Sequence, residues 1–351
     1  MMFAPNDSPV HPAFRRWLLL VAGMIFVMVV VGGLTRLTES GLSMTEWRPI
    51  FGWLPPLADE SWRRLFDLYK QTPQFRKIFP DMTLGGFKAI FWFEYLHRLL
   101  GRMIGLVFFA GFVYLLVRRR IPRRLMPQLT TLLVLGGLQG ALGWYMVTSG
   151  LVDRPSVSHF RLAAHLSLAI LLYVWIVWIL SGFSVRRNSE SVAASLVLPA
   201  TTYLSIAVTI VTGAFVAGLD AGKIYNTFPL MGGTFVPTDY LRPDHDLNDF
   251  MSSPVVAQFN HRFLAIVTVV LVLMLWWRSR QFGERISRSA NWMVAAVIVQ
   301  AGLGIATLLL YVPIWLASLH QAGAMILVTT AVLHARSIIG TQEGIRPCRE
   351  G

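Results

Sequence analysis

Eight separate runs of this chain are apolar and long enough to cross a lipid bilayer: 17–37, 90–117, 126–147, 158–181, 195–218, 255–277, 290–311 and 314–336. About 20 apolar residues in a helix span roughly 30 Å of hydrocarbon. Inside lipid every backbone N–H and C=O needs an internal partner, so runs of this length must be helices. Hydrophobic residues make up 55% of the 351 and charged residues 14%, which excludes an ordinary soluble protein. The expected fold is an all-α integral membrane protein with eight transmembrane helices.

The net charge of +13 raises the question of nucleic acid, and its placement answers it. Arg118, Arg119, Arg120, Arg123 and Arg124 fill the connection after the second run. Arg186 and Arg187 follow the fourth, Arg278, Arg280, Arg285 and Arg288 follow the sixth, and Arg336 ends the eighth. Arg15 and Arg16 precede the first. This alternation is the positive-inside pattern of a lipid-embedded chain. It puts both termini in the cytoplasm, and the bilayer rather than nucleic acid is the partner. Loops 38–88 and 219–254 then lie outside. The first run ends in GGLTRLTES without a small-residue cleavage site, so it reads as an anchor and not a signal peptide. The single cysteine, Cys348, rules out an intrachain disulfide or a cysteine-built metal site.

The chain repeats itself. GGLTRLTESGLSMTEWRPIFG (32–52) resembles TGAFVAGLDAGKIYNTFPLMG (212–232), with Gly33, Pro49 and Gly52 matching Gly213, Pro229 and Gly232. EYLHRLLG (94–101) matches QFNHRFLA (258–265), and LQGALG (138–143) resembles VQAGLG (299–304). Four runs per half is an even number, so both halves enter the membrane in the same sense, a parallel repeat. Two pseudo-symmetric four-helix bundles are expected: 17–182, carrying outer loop 38–88, and 195–337, carrying outer loop 219–254. They are flanked by a cytoplasmic segment 1–16 and a tail 338–351.

Each half places two histidines near the outer ends of its second and fourth runs, all four at one matched depth: His97 and His165, then His261 and His320. Histidine within a membrane is a functional residue by default. Two imidazoles facing one another from different helices are what a six-coordinate haem iron takes as axial ligands. One haem per half is the expectation. His11, His159, His245 and His334 fit solvated, interfacial or helix-end roles instead.

The halves differ at one informative place. Glu94 precedes His97 by three residues, on the same helix face, and the matching residue before His261 is Gln258. A carboxylate within the membrane can hold or pass a proton. Chemistry is expected in the first half and electron handling or structure in the second. Arg98 and Arg262, which follow the histidines, suit haem propionates. In the outer loop, Trp62, Leu65, Phe66 and Tyr69 within 58–75 fall at helical spacing and predict an amphipathic helix on the outer surface, as a lid over the first site or as loop packing.

These motifs, GGLTRLTESGLSMTEWRPIFGWLPP, FWFEYLHRLLGR, RLAAHLS, QFNHRFLA and ASLHQAG, resemble the haem A synthases over nearly the whole chain, in the branch of mitochondria and related bacteria. The resemblance implies oxidation of the C8 methyl of haem O to a formyl group, giving haem A for terminal oxidases. It implies a haem b cofactor ligated by His261 and His320, with the substrate haem at His97 and His165. Glu94 matches the family's acidic residue beside the first histidine. A haem O synthase (a protohaem farnesyltransferase) and an electron-transfer partner are implied as neighbours, in the bacterial inner membrane. A second branch carries a cysteine pair in the first outer loop. SMTEWRPIF has none here, so no mechanism using those thiols applies. The rival readings are a bis-histidine two-haem cytochrome that only moves electrons, and a haem transporter or chaperone. The first gives no reason for Glu94 to lack a carboxylate twin, and the second predicts two exchangeable haems and no change in the porphyrin.

Overall fold

The computed structural model describes residues 11–46, 53–151, 155–182, 196–241 and 247–342. His245, Cys348, Arg186, Arg187, Pro49 and Gly52 lie outside the described residues. Eight helices are long and apolar enough to cross a membrane, so the chain is a multi-pass membrane protein. They are α1 (Pro12–Leu37), α4 (Leu84–Val117), α5 (Met126–Leu151), α6 (His159–Gly182), α7 (Val197–Gly218), α9 (Pro254–Ser279), α10 (Glu284–Leu309) and α11 (Ile314–Gln342). Three short helices, α2 (Asp59–Lys70), α3 (Pro73–Ile78) and α8 (Leu247–Ser252), belong to the connections.

Local chemistry sets where the helices start. The imidazole of His11 accepts from Ala13 N–H at 3.1 Å, with Pro12 in the first turn of α1. Thr83 caps α4 through Gly86 N–H, and Ser253 followed by Pro254 opens α9. These residues supply acceptors to orphan amides, and proline has no amide to satisfy.

The spans pack as two rings of four. In the first, α1 touches α4, α4 touches α5, α5 touches α6, and α6 returns to α1. In the second, α7, α9, α10 and α11 close in the same order. The rings meet through α1 with α11, α6 with α7, and α6 with α11. Exchanging the halves turns the first two of these contacts into one another and leaves the third unchanged, which matches a pseudo-two-fold between α6 and α11. One apolar core crosses this seam, with Leu18, Val21 and Ile25 of α1, Ile176 of α6, Ile206 of α7 and Met325 and Val328 of α11 all buried in it. Close packing holds such a seam, because lipid offers no hydrophobic drive between helices.

Helix α4 is longer than its apolar run. Its 34 residues extend about 51 Å, well beyond the hydrocarbon thickness. The added first turns stand under α2, where Trp62, Phe66, Tyr69, Phe87, Phe91 and Tyr95 form a buried aromatic cluster. The expected amphipathic segment therefore exists but is split between α2 and α3 by Thr72 and Pro73. Its stripe packs on α4 rather than lying on lipid, because six rings bury more apolar surface there. Burial raises the pKa of Tyr69, whose hydroxyl donates to Gln74 Oε1 at 3.0 Å.

Candidate functional site

The four histidines sit on diagonal helices of their rings: His97 on α4 and His165 on α6, His261 on α9 and His320 on α11. Counted from helix starts their depths do not match, because α4 begins six residues before its apolar run. The match appears instead in what backs each ring. Every one of the four lies against a glycine of the span before it. A Cβ on Gly143 would stand 3.0 Å from His165 Cε1, on Gly213 3.0 Å from His261 Cε1, and on Gly304 2.8 Å from His320 Cε1. On Gly32 it would stand 3.2 Å from His97 Nε2. The pairing of Gly33 with Gly213 is thus one residue out, since it is Gly32 that faces a histidine.

Each of the four histidines keeps some surface exposed although it lies within its ring. The imidazoles of His261 and His320 face one another edge-on, with centroids 6.5 Å apart and planes at 88°. Two imidazoles each bound through one nitrogen to a shared metal about 2 Å away have centroids about 6 Å apart. His261 Nδ1 lies 3.1 Å from the Thr209 carbonyl and 3.2 Å from Thr212 Oγ1. A carbonyl only accepts, so Nδ1 carries the proton and the Nε2 lone pair is left for a ligand. Nδ1 of His165 is buried with no hydrogen-bond partner, as are Oε1 of Gln139 and Gln300, and His320 has the Gln300 main chain as a hydrogen-bonding neighbour. Both glutamines lie beside these histidines, with amide nitrogens 3.4 and 3.5 Å from the ring Nε2 atoms. Orphaned buried polar atoms beside one histidine of each ring fit an inserted iron porphyrin better than a finished apolar core.

The residues three positions before and one position after His97 and His261 tie these helices to the outer loops. Glu94 is buried. One of its carboxylate oxygens accepts from Ser43 Oγ and Met44 N–H, both at 2.7 Å, and the other from Arg98. Arg98 also donates to the carbonyls of Met44 and Glu46. In the second ring, Gln258 donates to the Tyr225 carbonyl at 3.0 Å, and Arg262 donates to the carbonyls of Tyr225 and Thr227. Both arginines thus satisfy two carbonyls of the stretch after the ring's first helix, as buried backbone requires. Nε of Arg262 is buried with no hydrogen-bond partner, so that guanidinium keeps a donor beyond those given to the two carbonyls.

The remaining described histidines have ordinary roles. His334 is fully buried between Tyr203 OH at 2.7 Å and Ser279 Oγ at 3.1 Å. His159 packs on Phe160 and Phe215. The glycine backing, Gln139, Gln300, Ser43 and the Thr209 carbonyl are additions to the site that sequence reasoning missed. The glycine and glutamine pairs were present in LQGALG and VQAGLG, there read only as part of the repeat. Ser43 and a main-chain carbonyl left no signal.

Comparison with known proteins agrees with this arrangement. A family described as cytochrome oxidase assembly protein, COX15-CtaA, matches residues 15–332. Heme A synthase of Parvibaculum lavamentivorans is 46% identical over 332 residues, covering 93% of this chain and 95% of its own. That of Paramagnetospirillum magneticum is 46% identical over 330 residues, 91% and 92% respectively. That of Nitrosomonas eutropha is 42% identical over 335 residues, 93% and 94%. With its two rings and four glycine-backed histidines, the chain belongs to the haem A synthase family, within the COX15-CtaA cytochrome oxidase assembly proteins.

Proposed function

We propose that this protein is a membrane oxidoreductase that converts the C8 methyl of haem O to a formyl group, producing haem A. The observation that carries the reading is the asymmetry between two otherwise matching histidine sites: a buried carboxylate, Glu94, stands beside His97, and an amide, Gln258, beside His261. His261 and His320 would hold a resident haem b, which supplies one-electron chemistry when bound. His97 and His165 would hold haem O as substrate. A methyl becomes a formyl with net loss of two hydrogens and gain of one oxygen, so protons must leave that carbon. Glu94 is one helical turn from His97 and is the group placed to take them, with Ser43 Oγ as its hydroxyl neighbour. Arg98 and Met44 N–H hold its carboxylate in one orientation. The arginine pattern puts both termini on the cytoplasmic side of a bacterial inner membrane. A farnesyltransferase making haem O and a separate electron-transfer partner would then be its neighbours.

The test is pigment extraction and mass analysis after expression with and without a haem O source. A formyl haem should appear only with haem O and the intact protein. Two unmodified haems under both conditions would favour the electron-transfer or carrier readings and remove this one.

A further inference from the structure

Next to His320 stands Gln321, and its side chain leaves its own ring. Its amide donates to the Val29 carbonyl of α1 at 2.9 Å, across the seam between the rings. Its carbonyl end fills the niche over Gly33, where a Cβ would stand 1.5 Å from Oε1. The neighbouring Gly32 is the residue that backs His97. Three consecutive contacts therefore join the two sites: His320 and Gln321 are adjacent in α11, Gln321 sits on Gly33, and Gly32 lies against the His97 imidazole. In the first ring the residue after His165 is Leu166, which has no amide for such a bond, so the link has one direction.

We propose that Gln321 is a positioning residue for the His97 site, fixing α1 against α11 so that Gly32 sets the His97 ring. This rests on the reading of His97 as a substrate-haem ligand. A helix carbonyl that takes a second donor gains one hydrogen bond, and the niche makes that bond specific to a small residue at 33. The core residues that α1 and α11 bury at the seam, Leu18, Val21 and Ile25 with Met325 and Val328, are apolar, so the Gln321 bond adds a directional contact to that packing.

The experiment titrates the purified full-length protein with protohaem, reading haem per chain and the low-spin signal by electron paramagnetic resonance. His97→Ala identifies the first-site phase. Gln321→Leu should keep one low-spin haem per chain with an unchanged signal, and weaken first-site binding about fivefold to tenfold, the effect of one hydrogen bond. Gly33→Ala displaces the same side chain from the other helix and should give the same defect. The double variant should be no worse than either alone, because both remove one contact. Unchanged first-site binding in Gln321→Leu, or additive defects, overturns the proposal while leaving His97 as a ligand. If His97→Ala itself titrates like the unaltered protein, the reading of the first site falls and the proposal with it.

Discussion

The two rings share a plan and differ in how firmly they hold their histidines. In the second, His261 donates to the Thr209 carbonyl with Thr212 Oγ1 beside it, and it faces His320 at a ring separation of 6.5 Å. In the first, His97 meets Gly32 through Nε2 and Cδ2, whereas the other three histidines meet their glycines through Cε1. The residue before Gly213 is Thr212 and the residue before Gly32 is Val31, so the first ring has no hydroxyl at that place. It has instead a buried carboxylate clamped by Ser43, Met44 and Arg98. A resident cofactor benefits from ligands fixed by outer contacts. A substrate that must leave as product does not. Under the proposed function, this difference would suit a resident haem in the second ring and an exchanging substrate in the first.

The strongest way to break the comparison is to remove ligands from each ring in turn. His261→Ala or His320→Ala should abolish the tightly bound low-spin haem altogether. His97→Ala or His165→Ala should keep it and lose haem A formation. Haem stoichiometry and pigment analysis on the same preparations decide this. Full retention of low-spin haem in the second-ring variants would reverse or void the assignment.

Next in size is Glu94→Gln, which gives the first ring the residue of the second. Conversion of haem O should fall about 10²–10⁴-fold, the usual worth of a positioned proton acceptor, with haem b content unchanged. Gln258 shows that an amide fits this helical position beside an arginine that binds loop carbonyls. Loss of haem b and conversion together would make the Glu94–Arg98 pair a brace for residues 43–46 instead. Normal conversion would end its proton role.

How far the sequence led is best seen at particular residues. The eight spans and the four histidines follow from apolar length and from the expense of histidine in lipid, and both are visible in one dimension. The repeat was legible in LQGALG and VQAGLG, yet its meaning, a glycine under each imidazole, needed the helices packed. The first turns of α4 were misjudged because Gly85, Gly86 and Lys88 dilute the apolar run, and only the ring cluster under Trp62 shows why they stay helical. Glu94 was singled out by its missing twin. Its partners at Ser43 and Met44 come from an irregular stretch 50 residues away, where no periodicity points.

The glycine backing gives a third test with opposite signs in one protein. Alanine normally stabilises a helix over glycine by about 1 kcal/mol. Gly304→Ala should keep that gain in the haem-free protein yet push His320 off line, since its Cβ would meet Cε1 at 2.8 Å. Haem b affinity should drop about tenfold, roughly 1.4 kcal/mol. Gly143→Ala should spare haem b and lower conversion by a similar factor through His165. Equal effects of both variants on haem b would mean that the rings do not bind separately.

The smallest expected effect is at Thr212→Val, which makes the second ring resemble the first at Val31. The variant removes a hydroxyl that stands 3.2 Å from His261 Nδ1 and itself donates to the Thr209 carbonyl at 2.9 Å. The carbonyl remains, so His261 keeps its tautomer and its orientation, and haem b stoichiometry should not change. What changes is how much electron density the imidazole lends the iron. An Nδ1–H that loses one of two acceptors is a poorer donor, which favours the reduced iron. The haem b midpoint potential should therefore rise by an amount equivalent to less than about 1 kcal/mol, the scale of one neutral hydrogen bond. Spectroelectrochemical titration reads it directly. A fall in potential would mean that the Thr209 carbonyl, freed from the hydroxyl that now donates to it, binds Nδ1–H more strongly by more than the lost hydroxyl acceptor weakens it.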